Sequence, residues 1–153
     1  MGNFTIMNKQ IKKEIYFVVP GEVIAKGRPR FTRQGRTYTP KKTHDYEQKV
    51  KACYLAEYPF QPMQFPSKEP LEIVLNVYME IPKSASKKAK MEMLMSKYPT
   101  KKPDCDNYLK SICDALNGVC FNDDCQFVMA TVNKLWSEEP KAEITIRELG
   151  DRL

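Results

Sequence analysis

The clearest structural signal in the chain is the segment DNYLKSICDALNG, which covers residues 106–118. Its apolar residues recur at positions i, i+3, i+4 and i+7, the spacing that places side chains on one face of a helix. The dipeptide Asn117-Gly118 is a typical stop signal at a helix C-terminus. The pattern predicts a helix over residues 106–117 with a buried face formed by Leu109, Ile112, Cys113 and Leu116.

Strand patterns flank this helix on both sides. Residues 14–20 are β-branched and aromatic and end at a proline, and residues 71–78 alternate between mainly apolar and mainly polar positions. Downstream of the helix, residues 127–136 and 142–147 show strand patterns separated by a turn at residues 138–141. We therefore predict two strands before the helix and two after it.

A second helix is predicted between the first two strands. Thr39 and Pro40 are typical of a helix start, with Thr39 as the N-cap and Pro40 at the first helical position. The helix should continue over residues 41–57, where an apolar stripe recurs at helical spacing: Tyr46, Val50, Cys53 and a further candidate, Tyr54. Residues 83–102 fit either a short basic helix or a mobile loop, and both interpretations stay open.

This order of elements predicts a single α+β domain with a small mixed β-sheet packed by two main helices. We place the domain at residues 14–153, after a polar N-terminal tail at residues 1–13. A length of 153 residues with 42% hydrophobic content suits a globular domain with an ordinary core. The sequence shows no membrane-spanning run and no signal-peptide core, so we expect a cytoplasmic protein without a membrane partner.

Positive charge is concentrated in two blocks. The formal net charge is +6, yet residues 104–153 hold twice as many acidic as basic residues, so the excess lies upstream. Residues 83–102 are lysine-rich, and a solubilising surface explains them as well as a binding role does. The other block, which we call the basic segment, has no acid among its seven cations: Lys26, Arg28, Arg30, Arg33, Arg36, Lys41 and Lys42.

The composition of the basic segment indicates a nucleic-acid partner. So many like charges repel one another unless a polyanion neutralises them, and the planar guanidinium of Arg suits phosphate oxygens. Phe31 and Tyr38 are interleaved with the cations. Such a mixture is suited to gripping a sugar-phosphate backbone and to stacking on exposed bases.

Cysteine and histidine usage argues against several chemistries. The five cysteines form no Cys-x-x-Cys pair and His44 is the single histidine, which disfavours a structural zinc site, a His-ligated metal and a Ser-His-Asp triad. A Cys-His nucleophile pair that uses His44 has no supporting residue nearby. Buried, reduced thiols are the simpler interpretation of the cysteines.

Acidic residues bracket the helix described first. Asp104 and Asp106 lie two positions apart, and in an extended approach such residues point to the same side. If the chain after Gly118 folds back along the helix, Asp123 or Asp124 reaches the same place. Carboxylates packed together raise one another's pKa, which a divalent cation relieves, and oxygen ligands alone favour magnesium. Because such a metal hydrolyses phosphodiesters without histidine, the sequence predicts a metal-dependent nuclease.

Two further charges share one stripe of this helix. Lys110 lies one turn after Asp106, and Asp114 lies one turn after Lys110. Lys110 either neutralises a scissile phosphate or simply pairs with Asp106. Asp114 is interpreted as an ordinary helix-surface charge. Asp106 would serve as a helix cap in the simplest interpretation, but one aspartate suffices for a cap, and we therefore prefer a metal role for Asp104 and Asp106.

These residues belong to a longer motif, which reads KPDCDNYLK at residues 102–110, DALNGV at 114–119 and DDCQ at 123–126. The motif resembles the signature of the RusA family of Holliday junction resolvases. KGRPRF at residues 26–31 with YTP at 38–40 also resembles the basic segment of phage and Gram-positive bacterial members. The resemblance extends over nearly the whole chain.

The resemblance implies a RusA-like α+β homodimer that binds four-way DNA junctions and nicks two strands of like polarity. It implies magnesium as the cofactor, with manganese as a substitute, and a setting in DNA recombination and repair in a bacterial or phage-infected cell. The family's catalytic residues fall on Asp104, Asp106, Asp124 and Lys110, and the metal ligands on the same aspartates together with Asp123.

Two other functions stay open at the level of sequence. One is a branched-DNA nuclease of broader specificity that also cuts flaps, replication forks or single strands. The other is a non-catalytic DNA-binding phage protein in which the acidic cluster merely caps a helix. Cleavage of defined DNA structures in the presence of magnesium distinguishes all three.

Overall fold

The strands and helices are described in a computed structural model that covers residues 9–28 and 30–152. The strands are β1 (Ile11–Pro20), β2 (Arg30–Phe31), β3 (Thr37–Tyr38), β4 (Leu71–Glu80), β5 (Phe127–Ser137) and β6 (Lys141–Leu149). The helices are α1 (Lys41–Glu57), α2 (Lys87–Ser96) and α3 (Cys105–Leu116), and a 3₁₀ turn follows at Asp124–Gln126. The predicted α+β class is confirmed.

Four strands form one mixed sheet in the order β1-β6-β4-β5. Strand β6 pairs antiparallel with both β1 and β4, whereas β4 and β5 run parallel. A parallel pair needs a long crossover, and α2 and α3 lie in the connection between β4 and β5. The short strands β2 and β3 form a separate two-stranded antiparallel ribbon.

The hydrophobic core lies between the sheet and two helices. Alternate residues of β1, β4 and β6 join residues of α1 and α3 in one buried cluster. The rings of Phe17 on β1 and Tyr54 on α1 meet edge to face, with centroids 5.3 Å apart. The predicted stripe on α1 is confirmed, because Tyr46, Val50 and Tyr54 are buried and Cys53 packs beside them.

An ion-pair network spans the strands at one end of the sheet. Glu72 of β4 is only 2% exposed, and its carboxylate contacts Lys9 at 2.5 Å and Arg147 of β6 at 3.2 Å. Arg147 also contacts Glu14 of β1 at 2.7 Å. These partners compensate the buried charge, which would otherwise oppose folding.

Several element boundaries differ from the sequence-based expectation. Strand β1 begins at Ile11, three residues earlier than predicted, while residues 1–8 of the predicted tail lie outside the described part of the chain. Helix α1 has Pro40, and not Thr39, at its N-cap position. Residues 87–96 form a helix, which decides between the alternatives left open for residues 83–102. Its N-cap is Ser86, whose hydroxyl accepts a hydrogen bond from the backbone N–H of Ala89.

The cysteines are all free, as predicted, but they are not all buried. Cys113 and Cys120 lie in the core, and Cys53 is half-buried. Cys105 and Cys125 are exposed, because one lies in the first turn of α3 and the other in the 3₁₀ turn beyond it. None of the helices in the described ranges is long and apolar enough to cross a membrane.

Candidate active site

Helix α3 is held in place by one broad buried face. Its buried residues are the predicted Ile112, Cys113 and Leu116 together with Tyr108, Ser111 and Ala115. Leu109 is half-buried and packs against the same core. Since these contacts fix the rotation of the helix, they also fix the direction of the polar side chains on its other face.

The two acids at the start of α3 lie on different parts of the helix terminus. Asp104 occupies the N-cap position in an extended conformation, and its side chain makes no capping hydrogen bond. Asp106 lies inside the first turn. The helix starts at Cys105, so the prediction that Asp104 and Asp106 share an extended segment is wrong, and so is the alternative of Asp106 as the cap.

The chain reverses direction directly after α3, which is the condition under which the sequence would bring Asp123 or Asp124 to the site. Gly118 has φ of 76°, a left-handed conformation that favours glycine, and its N–H donates to the carbonyl of Phe121 at 2.9 Å. Phe121 is fully buried and forms an isolated bridge with Phe65. This anchored reversal carries Asp124 back alongside the helix.

The turn that holds Asp124 is closed by a capping box. The carboxylate of Asp123 accepts from the N–H of Cys125 at 3.1 Å, and the N–H of Asp123 donates to the side-chain oxygen of Gln126 at 2.9 Å. The buried Gln126 amide also donates to the carbonyl of Glu69 at 3.2 Å. This role of Gln126 was not predicted from the sequence, although Asp-x-x-Gln is the spacing of a capping box.

One cavity of about 320 Å³ brings three predicted catalytic residues together. Asp106, Lys110 and Asp124 supply its polar lining, and its apolar walls are Ile73, Leu109, Cys113, Phe127 and Ala130. Asp104 and Asp123 are not among the described residues that line it. The geometry therefore unites one acid from the start of α3, one from the returning turn and the lysine between them.

The two acids of the returning turn have opposite pKa shifts. Hydrogen bonding with the Asp123 side chain raises the pKa of Asp124, burial and the charges of Asp123 and Asp114 add to the rise, and Lys110 opposes it. The pKa of Asp123 is lowered, first by the hydrogen bond from the Cys125 backbone. A carboxylate whose ionisation is disfavoured by neighbouring acids gains from additional positive charge.

The geometry supports the predicted metal site only in part. Within residues 9–28 and 30–152, no group of three or more His, Cys, Asp or Glu side chains lies close enough to hold a metal ion. Two carboxylates, Asp106 and Asp124, nevertheless open into one cavity. One or two protein carboxylates are enough for Mg²⁺, which keeps several water ligands and binds substrate phosphates. The two carboxylates therefore fit a hard cation whose remaining ligands are water and DNA phosphates.

Lys110 pairs with the acid downstream of it. Its Nζ lies 3.0 Å from Oδ1 of Asp114, whereas the pair with Asp106, one of the two alternatives that the sequence left open, is not formed among the described residues. Hydrogen bonding to Asp114 raises the pKa of Lys110, so the ammonium stays charged. Asp114 is thus more than the surface charge that the sequence indicated.

The predicted DNA-binding residues fall into two environments. Arg30 lies on β2, and it is exposed together with Arg28, Arg33, Arg36, Lys41 and Lys42. Lys26 is different, because its Nζ lies 2.7 Å from Glu47 on α1 and 3.0 Å from Asp114 on α3. Burial would lower the pKa of Lys26, but the two carboxylates outweigh burial and raise it. The sequence offers no local signal for these partners, and the DNA-binding role of the basic segment stays a prediction.

The basic segment is joined directly to the start of α3. The backbone N–H of Lys26 donates to the carbonyl of Asn107 at 2.9 Å, and that of Gly27 donates to the hydroxyl of Thr43 at 3.1 Å. On the other side, the Lys134 ammonium donates to the carbonyl of Pro103 at 2.9 Å. The N-terminus of α3 is thus held by hydrogen bonds from the basic segment on one side and from β5 on the other.

Comparison with known proteins identifies the family. Residues 20–147 match the family described as Endodeoxyribonuclease RusA. The chain is also 39% identical over 143 residues to a Bacillus subtilis (strain 168) protein named "Uncharacterized protein YqaN", an alignment that covers 89% of this chain and 97% of that protein. The resemblance found in the motif at residues 102–126 is thereby confirmed, and the chain belongs to the RusA endodeoxyribonuclease family.

Proposed function

We propose that this protein is a magnesium-dependent, structure-selective endonuclease that resolves four-way DNA junctions by paired, symmetric nicks. The observation that carries the proposal is the shared cavity of Asp106, Lys110 and Asp124. The basic segment adds to it, since its first residue, Lys26, contacts α3 through Asn107 and Asp114. Membership of an endodeoxyribonuclease family supplies the reaction class. Hydrolysis adds water across a phosphodiester P–O bond and leaves a phosphate on one strand end and a hydroxyl on the other.

Asp106 and Asp124 would hold the metal ion at the cavity, with Asp104 at the adjacent N-cap position as a further ligand. Asp123 belongs to the predicted ligand set as well, although one of its oxygens already caps the 3₁₀ turn. When bound, magnesium supplies a water of lowered pKa and positive charge for the leaving oxygen. Manganese has similar ligand preferences and is expected to substitute for it.

Lys110 and the basic segment would act on the DNA itself. The ammonium of Lys110 is charged and lines the cavity, so it offers a charge-assisted hydrogen bond to a phosphate held there. The exposed arginines from Arg28 onward would bind phosphates along the strand. Phe31 is 73% exposed on β2, and its ring is available to stack on an unpaired base at the junction.

Homodimer formation is part of the proposal. A four-way junction has two-fold symmetry, and paired nicks of like polarity require two equivalent sites related by the same axis. A C2 dimer supplies two such sites. Sedimentation velocity of the purified protein, alone and with junction DNA, tests this state directly.

The decisive experiment is a cleavage assay with end-labelled four-way, flap and linear duplex DNA, with and without magnesium. The proposal predicts magnesium-dependent nicks on two opposing strands of the four-way junction and little cutting of the linear duplex. Equal cutting of the flap substrate would favour a nuclease of broader specificity. Tight junction binding without nicks in magnesium or manganese would overturn the proposed enzyme.

A further inference from the structure

We infer that Asp114 is a positioning residue that draws Lys110 away from Asp106 and so keeps the Asp106 carboxylate available for a divalent cation. The inference rests on the proposed function and extends it to a residue outside the predicted catalytic set. It is carried by a chain of ion pairs that connects α1, the basic segment and α3.

The chain of ion pairs is continuous and partly buried. Glu47 contacts Lys26 at 2.7 Å, Lys26 contacts Oδ2 of Asp114 at 3.0 Å, and Oδ1 of Asp114 contacts Lys110 at 3.0 Å. Glu47, Lys26 and Asp114 have side-chain exposures of 15%, 20% and 21%. Each carboxylate oxygen of Asp114 therefore contacts a lysine, and the two contacts together fix the orientation of the carboxylate.

Helix geometry alone favours a different partner for Lys110. Asp106 and Asp114 both lie four residues from Lys110, one on each side. An acid on the N-terminal side of a lysine at this spacing is the better helical pair, so an isolated helix would pair Lys110 with Asp106. Such a pair would neutralise a carboxylate in the cavity and compete with a bound cation. The observed pair with Asp114 is the intrinsically weaker one, and the anchored carboxylate explains its formation.

The charge balance supports the same role. Lys26 lies at the start of the basic segment, yet its ammonium is turned toward Asp114 and Glu47. By neutralising one side of Asp114, Lys26 allows this acid to lie beside the cavity acids at reduced electrostatic cost. Lys26 is thus a second positioning residue, one step further from the cavity than Asp114.

Metal binding tests the inference independently of cleavage. Free Mn²⁺ is quantified by electron paramagnetic resonance during titration of the intact protein, for wild type, Asp114→Asn and Asp114→Asn with Lys110→Met. In the single variant Lys110 is released toward Asp106, and we expect Mn²⁺ affinity to fall about tenfold. In the double variant the competing ammonium is absent, and we expect affinity to return to within about twofold of wild type.

A matched control and a conservative variant exclude a general loss of structure. Asp45→Asn removes the i, i+4 pair between Lys41 and Asp45 on α1, which is exposed and remote in sequence from the cavity. We expect it to leave Mn²⁺ affinity unchanged. Asp114→Glu retains a carboxylate four residues after Lys110 and should recover most of the affinity. Thermal melting of each variant reports on folding.

The outcomes are distinct. Weak Mn²⁺ binding by Asp114→Asn that is restored by removing the Lys110 ammonium supports the positioning role. Unchanged Mn²⁺ binding by Asp114→Asn, or weak binding that the double variant does not restore, overturns it. If wild type binds no Mn²⁺ and cuts no DNA, the proposed function itself fails and the inference falls with it.

Discussion

Asp106 and Asp124 line the same cavity although one lies in the first turn of α3 and the other in the turn beyond its end. The reversal at Gly118 and the buried Phe121 make this meeting possible. The candidate site is therefore a property of the helix together with its return, and neither segment contains it alone.

Asp106→Asn and Asp124→Asn are each expected to reduce nicking of four-way junctions by at least about 100-fold, because either change removes a charged oxygen from the proposed metal site while leaving the proposed phosphate-binding cations in place. Junction affinity in a gel-shift assay without metal should be equal or tighter, since a negative charge near the DNA is removed. Asp45→Asn is the control for removal of an aspartate. Full cleavage by both site variants would refute the site.

Replacing Arg33 and Arg36 together by alanine is expected to weaken binding to junctions of every sequence. Both side chains are exposed near the ribbon, and removing each arginine that binds a phosphate should lower the slope of log affinity against log salt by about one. The measurement is fluorescence anisotropy over a series of salt concentrations. The control is a double variant with alanine at the exposed residues Lys68 and Arg152, which removes two positive charges outside the ribbon. An identical salt slope in both double variants would exclude a specific role for the ribbon.

Phe31→Ala is expected to weaken binding to a four-way junction more than binding to linear duplex, by about 1–3 kcal/mol if one base stacks on the ring. Phe60 is the matched control, since it is 99% exposed and lies beyond the other end of α1. Fluorescence of 2-aminopurine placed at the junction centre measures stacking directly. No difference between Phe31→Ala and Phe60→Ala would contradict the assignment.

Glu72 is expected to make the stability of the fold sensitive to acid. Burial would raise the pKa of Glu72, but the hydrogen bonds and charges of Lys9 and Arg147 outweigh burial and lower it. A carboxyl group whose pKa is lower in the folded than in the unfolded state stabilises the fold above the unfolded pKa, and this contribution is lost as the pH falls through the folded pKa. Urea unfolding of wild type and Glu72→Gln should differ most at neutral pH and converge as the pH falls through the lowered pKa of Glu72 in the folded state.

The control for this prediction is Glu138→Gln, which changes an exposed glutamate in the turn before β6. Its difference from wild type should stay small at every pH. A Glu72→Gln variant whose destabilisation does not change with pH would show that Glu72 acts through packing and not through its charge.

Four of the five cysteines are expected to react with a thiol reagent in two groups. Burial raises the pKa of both Cys113 and Cys120 to about 12, which keeps these thiols protonated and unreactive. Cys105 and Cys125 are exposed and should be labelled first. Mass spectrometry after brief iodoacetamide treatment of the native protein measures the order, and early labelling of Cys113 would contradict it.

Local patterns predicted the elements that build the core. The alternation along β4 and the helical spacing in α3 depend on neighbouring residues, so both elements were found from sequence. The insertion of β6 between β1 and β4 was not predicted, because strand order depends on contacts between segments far apart in the chain.

For the candidate site as well, local features were predicted from the sequence and long-range contacts were not. The sequence indicated which acids to examine and placed Asp106 at the start of the helix, but the prediction that Asp104 and Asp106 share an extended segment was wrong, because Asp106 lies within the first turn. The partners of Lys26 come from α1 and α3, and no spacing rule relates residues so far apart. The pairing of Lys110 with Asp114 likewise depends on Lys26, which lies outside the helix.

The hydrogen bond from Lys26 to Asn107 and the one from Gly27 to Thr43 close off the arginine-bearing ribbon at its base. Because these bonds lie at the base of the ribbon, substitutions of exposed residues between Gly27 and Pro40 are expected to leave the geometry of α3 intact. Under the proposed function, such substitutions should alter the choice of DNA substrate while the hydrolytic step at α3 is retained.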